Sequence, residues 1–266
     1  MASELNYLDH LAVESARFAD VLGDVPSSAP VPTCPDWNAE DLLWHLAEVQ
    51  WFWGTIVRTG LTDAADVEKL EPERPSDRAG VTAFYKRSSS DLTEALTSAS
   101  PSTPAWTWST EQSVGFIRRR QAHEALIHRL DAELTSGERT AMDAGLSSDG
   151  IDEALRVMYG GLPPWGTITP DVGRTLRLHA TDTDDSWLIT LARFTGTEPD
   201  TGTEHDEPDI HISATDPGDA SQAAVSGSAE DLNCWLWHRP TVGPLARSGD
   251  EEILAQFDAT ISPGIN

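Results

Sequence analysis

The stretch "QAHEALIHRLDAE", residues 121 to 133, places two histidines, two glutamates and an aspartate close together in a helix-forming context. Its His-Glu pair invites comparison with the zinc-protease pattern H-E-x-x-H, in which histidines four residues apart share a helical face and bind one ion. His123 and His128 are five apart, which at about 100° per residue separates them by roughly 140° around a helix. They cannot meet one metal, and the protease reading fails. Glu124 and His128, at i and i+4, do share a face, and Asp131 continues that stripe three residues further on. A carboxylate oxygen and an imidazole nitrogen suit a divalent ion such as zinc, but two ligands are too few.

A third donor stands in "AEDLLWHLAEVQWFWG". Leu42, His45, Leu46, Val49, Phe52 and Trp53 recur at helical spacing, which sets His45 in the middle of an apolar stripe and points it into the interior. A histidine there can also be a core residue hydrogen-bonded to a neighbour. Glu124, flanked by Ala125 and Ile127, needs a partner if it is buried. Two histidines and one glutamate from separate helices make a His2Glu set with open positions, which is how catalytic zinc is held. On spacing alone Glu124 and His128 could equally be an exposed ion pair. Asp131 could orient a ligand histidine, act as a general base or pair with nearby arginines. His123 falls off the stripe and reads as structural, and His10, His179, His205 and His211 have no spacing that suggests a site.

The elements that must position these residues are legible from apolar periodicity. Leu5, Leu8, Leu11, Phe18 and Leu22 predict a helix over about 3–23. The proline-rich "VPSSAPVPTCPDW" ends it, and Asn38 with Asp41 three residues later predicts the cap of a second helix running to about residue 58. Further helices are expected over about 78–98 and 112–137, so the N-terminal part, residues 1–145, reads as a four-helix bundle. Past Gly145 the pattern changes. "DGIDEALRVM" reads as a short helix and "YGGLPPWG" as a linker. "TLRLHATD", "SWLITLAR" and "PDIHISAT" read as strands, and "SAEDLNCWLWHR" as a serine-capped helix. Residues 146–266 are therefore expected to form an α+β domain with an antiparallel sheet, and "TGTEPDTGTEHDEPD" a solvated or mobile loop.

With 266 residues, 39% of them hydrophobic, and ten tryptophans, the chain can bury two cores. Trp44, Trp51, Trp53, Trp106 and Trp108 read mostly as core residues, with lining of a cavity as the other possibility. A net charge of −26 repels phosphate backbones and anionic lipid, which argues against nucleic-acid or membrane partners. The N-terminus shows no basic segment followed by an apolar run, no stretch approaches the roughly 20 apolar residues of a membrane span, and Cys34 and Cys234 form no spaced motif. A soluble cytoplasmic protein, monomeric or a weak homodimer, is expected.

The blocks "VPTCPDWNAEDLLWHLAEV", "RRRQAHEALIHRLDAE", "SSDGIDEAL", "TLRLHATDT" and "SGSAEDLNCWLWHRP" resemble, in order, those of the mycothiol-dependent maleylpyruvate isomerase family of actinobacteria. The resemblance spans nearly the whole chain. It implies a DinB-like four-helix bundle followed by a sterol-carrier-like α+β domain, so an α+β two-domain protein. It also implies a metal triad at His45, Glu124 and His128, and a functional arginine at Arg239. Before that arginine the family has a small residue, whereas this chain has His238.

The resemblance further implies a divalent metal, zinc being the expected one, and mycothiol as thiol cosubstrate. The metal would lower the thiol pKa. Attack on an electrophilic small molecule, rotation and elimination would then give cis-trans isomerisation, with Arg239 holding a substrate carboxylate. The same residues would serve a mycothiol S-transferase that leaves a stable thioether. A non-catalytic ligand-binding protein of this fold, and a metal-assisted hydrolase using Asp131 as base, are the other readings.

Overall fold

The computed structural model describes residues 5–213 and 221–265. They form two compact units, Met1–Ala141 and Met142–Asn266. In the first, four long helices, α1 (Tyr7–Gly23), α2 (Ala39–Thr59), α4 (Arg78–Ser98) and α5 (Val114–Ser136), build a bundle, with a five-residue α3 (Ala64–Glu68) inserted after α2. The long helices fall within a few residues of the expected ranges, although residues 3 and 4 of the first expected helix lie outside the described part. The short α3 carries too few apolar positions to show a period in the sequence.

Local chemistry sets the helix starts. The Asn38 side chain accepts from the Glu40 and Asp41 amides, and the Asp41 carboxylate accepts from the Asn38 amide, so α2 begins with a reciprocal capping box. Ser113 caps α5 by accepting from the Phe116 amide, and Gly137, at φ 80°, ends it in the left-handed conformation that favours glycine. The core between the helices is closed by Phe18, Leu22, Leu42, Leu46, Val81 and Tyr85, all essentially inaccessible to solvent. Each such aliphatic side chain contributes about 1.5–3 kcal/mol by burial. At Gly54 a Cβ would lie 3.2 Å from the Leu92 Cα, so the missing side chain lets α2 and α4 approach closely.

The proline-rich segment between α1 and α2 is an ordered loop. Val31 donates to Trp37 O, Trp37 to Cys34 O, Cys34 to Val31 O and Ala39 to Ala29 O, while Val31 is buried in the bundle core. The loop therefore holds Thr33 and Trp37 in fixed places.

The second unit opens with α6 (Ala144–Glu153), which continues into a π-helical turn over Ala154–Tyr159. Its sheet has the strand order β3-β2-β1-β4-β5, from β1 (Gly166–Ala180), β2 (Ser186–Thr197), β3 (Glu204–Ile212), β4 (Ala223–Gly227) and β5 (Ala246–Gly249). The helices α7 (Ala229–Leu236) and α8 (Glu251–Ile261) pack on it through Leu232, Leu236, Ile253 and Phe257, against Leu176, Leu178, Ile189 and Val225.

Two expectations change here. The sheet is mixed, because β4 pairs parallel to β1, while the other three pairings are antiparallel. The acidic, threonine-rich stretch is mostly strand. β2 runs to Thr197 and β3 starts at Glu204, leaving only residues 198–203 as connection. Alternation is hidden there because the hairpin is polar on both faces. An Arg193–Asp206 ion pair and a cluster of Trp165, Phe194 and His205 hold it instead. The end of the strand expected at "PDIHISAT" lies outside the described residues past Ser213. Among the described residues no helix is long and apolar enough to cross a membrane.

Candidate metal centre

His45 from α2 and Glu124 and His128 from α5 meet. Glu124 Oε1 lies 3.5 Å from His45 Nε2 and 3.1 Å from His128 Nε2, and one donor atom from each of the three residues falls within a common 4.8 Å. A tetrahedral ion with bonds of about 2.0–2.1 Å spaces its ligands roughly 3.3–3.4 Å apart. The two measured edges bracket that value, and two imidazoles with one carboxylate are a donor set that suits zinc and leaves a position for a further ligand. His45 differs from expectation in one respect. Its side chain is 31% exposed, because the buried face of α2 is turned toward Leu43, Ala47 and Gln50, where α1 and α4 pack. His45 therefore sits at the rim of the apolar face and opens the triad to solvent.

Asp131 lies behind the triad. It is wholly buried, accepts from His128 Nδ1 at 3.0 Å, and accepts from the Thr33 hydroxyl at 2.6 Å. With Nδ1–H donated to Asp131, the other ring nitrogen of His128 presents its lone pair to the site. Asp131 thus stands behind His128, on the side of the ring away from Glu124. Trp37 packs its ring 4.7 Å from that of His45 and 6.5 Å from that of His128. Arg120, one turn before Glu124, forms a short ion pair with Glu124 Oε2, which leaves Oε1 for the two histidines.

The charges follow. Burial opposes ionisation of Glu124, but the Arg120 guanidinium and the hydrogen bonds to His128 and His45 hold its carboxyl well below the ordinary carboxylate range. Burial likewise opposes charge on His128, yet hydrogen bonds to Asp131 and Glu124 push it up to about 9. Among the described residues Glu124 stands beside the Arg120 guanidinium, and both Glu124 and Asp131 stand beside the His128 ring, a setting that favours a proton on His128 or a bound cation.

Residues 8–133 match the family described as the mycothiol maleylpyruvate isomerase N-terminal domain, and residues 146–256 match that family's C-terminal domain. The chain belongs to the mycothiol-dependent maleylpyruvate isomerase family. Two solved structures are similar in fold. One is a histidine-to-alanine variant of mycothiol-dependent maleylpyruvate isomerase, at 12% identity and TM-score 0.59. The other is the enzyme itself, at 14% identity and TM-score 0.57. Each alignment covers 92% of both chains. No curated protein sequence matches the chain.

In this family member Arg239 belongs to the second unit, at the exit of α7, and donates to Trp237 O at 2.8 Å. It lines a cavity of about 470 Å³ with His238, Thr241, Arg247 and Asp258. His238 has φ 55°, with its amide on Trp235 O and the Arg239 amide on Cys234 O. That is a Schellman stop, and its left-handed position is where a glycine fits without strain. His123 is buried edge-on to Tyr7 and away from the triad. Of the five tryptophans, Trp53 is buried and Trp44 stacks on Phe84, while Trp108 is 49% exposed.

Thr33, Trp37 and Arg120 were not singled out by sequence reasoning. Arg120 could have been, since it stands at i−4 to Glu124, the spacing of an ion pair. Thr33 and Trp37 reach the site through loop geometry that no periodicity reports.

Proposed function

We propose that this protein is a mycothiol-dependent metalloenzyme that prepares the thiol for attack on an electrophilic small molecule, with cis-trans isomerisation as the reaction. The observation that carries this reading is the convergence of His45, Glu124 and His128 on one point, with Asp131 fixing the tautomer of His128. These three residues are the ligands we assign, with zinc the ion their chemistry suits best. A bound divalent cation would lower the pKa of a thiol, so that thiolate is present near neutral pH.

The chain's own residues supply the rest. Glu124 brings a full negative charge, kept ionised by Arg120. Asp131 and Thr33 fix the ring of His128. Trp37 packs against the ring of His45. Arg239 is assigned to a substrate carboxylate, for which the planar guanidinium fork is well shaped. The test is incubation of the metal-loaded protein with mycothiol and a panel of electrophiles, followed by mass spectrometry. Return of the isomerised electrophile supports an isomerase, and an accumulating thioether identifies an S-transferase on the same triad. Absence of a stoichiometric divalent ion, with unchanged behaviour of His45→Ala, overturns the metalloenzyme reading.

A further inference from the structure

One turn beyond His45, α2 borders a second feature. Glu48, Val49 and Phe52 follow His45 by three, four and seven residues, so they continue its face of the helix, starting about 4.5–6 Å along the axis. They line a cavity of about 190 Å³ together with Trp51 and Trp53, and Glu68 and Glu71 close it from α3 and the turn after it. Drug-sized ligands need roughly 300 Å³ or more, so this cavity takes a single ring or a short chain. Its walls are aromatic. Phe52 stands edge-on to Trp53 and to Trp106, and Trp53 stacks on Trp106, which fixes the rings.

All the charge lining the cavity is negative. Glu48 from α2 faces Glu71, and Glu68 adds a third carboxyl. Arg74 is the cation that acts on Glu48, but its guanidinium is engaged by Glu40 and Asp41. Burial and the facing Glu71 push Glu48 up to about 7, against the pull of Arg74. Aromatic faces attract cations and accept uncharged rings, whereas facing carboxylates repel anions.

We infer that this cavity is the subsite for the non-reacting end of the electrophile, and that it selects an uncharged or cationic aromatic group over a carboxylate. The inference rests on the metal-site reading above and narrows it. An electrophile with a carboxylate at that end is disfavoured here, whatever anion Arg239 holds. Val49 and Phe52 supply the contact area, and Glu48 and Glu71 supply the charge selection.

Three probes with one ring and different charge test this: benzylammonium, benzyl alcohol and benzoate, titrated into the full-length protein at pH 8 and followed by ligand-observed NMR. They are measured with the protein as purified and again after chelation. Benzylammonium and benzyl alcohol are expected to bind, with benzoate at least about tenfold weaker. In Glu48→Gln/Glu71→Gln benzoate should come within about threefold of benzyl alcohol, and Phe52→Ala should weaken all three alike. Benzoate binding to the wild-type protein as tightly as benzyl alcohol overturns the inference. So does an unchanged charge preference in the double variant, or no binding of any probe. Zinc titration of the wild-type protein separates the two readings. A chain that does not hold the metal but ranks the probes as stated loses the enzyme reading and keeps the cavity. One that holds zinc but not the probes does the reverse.

Discussion

The helix α5 carries two buried polar clusters on different sides, and they are resolved in opposite ways. Around Arg129 the charges close on themselves. Its guanidinium donates to Glu14 at 2.7 Å and to Glu133 at 2.9 Å, and Glu133 also accepts from Arg17 and from the Thr140 amide and hydroxyl. Two buried carboxylates meet two guanidiniums there, and Arg17 reaches the exposed Glu138 as well. Around Glu124, five residues earlier and about 140° around the helix, the described residues bring one guanidinium to two carboxylates, with the buried His128 ring beside them and that of His45 at the rim. The first cluster ties α1 to α5. Among the described residues the second gathers more carboxylate than guanidinium, which a proton or a cation relieves. The difference teaches that burial and ion pairing alone do not mark a functional site; the unmet charge, with an opening to solvent, does.

The contrast breaks most sharply at Glu124. Glu124→Gln keeps an acceptor for Arg120 but removes the charge that draws the cation, so metal affinity should fall by more than the roughly 10–100-fold that outer residues cost. Metal content after dialysis, with a circular-dichroism melt as control for folding, reads this directly. Retention of a stoichiometric ion would mean that the triad is not the site. Arg129→Ala should do the opposite. It strands Glu14 in the interior and leaves Glu133 only Arg17 as a charged partner, and breaking a buried pair from one side costs about 3–5 kcal/mol. Urea melts should show that loss while zinc titration of the folded protein stays unchanged. A stability change under about 1 kcal/mol would show that the closed cluster is not a tie between helices.

Much of this was readable before the structure, for identifiable reasons. The bundle helices show because a buried helical face repeats every 3.6 residues, and the cap at Asn38 uses a residue type that prefers that position. The triad shows because Glu124 and His128 share a helical face and His45 breaks an apolar one. The mixed order of the sheet does not show, since pairing between β1 and β4 depends on contacts some fifty residues apart that leave no local pattern. The hairpin of β2 and β3 was hidden by composition, because cross-strand charges rather than apolar alternation hold its outer end. Thr33 and Trp37 are invisible for a third reason. They sit in a proline-rich loop whose path is set by backbone hydrogen bonds, and only that path brings them to Asp131 and His45.

A smaller step tests the layer behind the ligands. Asp131→Asn preserves shape but no longer accepts the His128 proton as a charged partner, and loss of such an orienting carboxylate typically costs 10–100-fold in metal affinity. Competition against a chelator of known zinc affinity measures it. An unchanged affinity would place Asp131 with the closed cluster, as a structural charge satisfied by Thr33.

The finest distinction is in protons. His128 in the metal-free chain is held up to about 9 by Asp131 and Glu124 against the opposing effect of burial, above its ordinary value of 6.5. A raised value means that the bound proton contributes stability that is fully present below about pH 6.5 and is lost as pH rises through about 9. A metal ion needs the neutral ring, so loading must expel that proton. Zinc affinity should therefore rise close to tenfold per pH unit between about pH 7 and 8.5, and level off above about 9. Calorimetry in buffers of differing ionisation enthalpy should count close to one proton released per ion near pH 7. The closed cluster gives no such signal, because its charge is already balanced by guanidiniums that do not titrate. Affinity independent of pH, with no proton released, would mean that His128 is neutral before the metal arrives, and the imbalance that separates the two clusters would then have to be met by some other group.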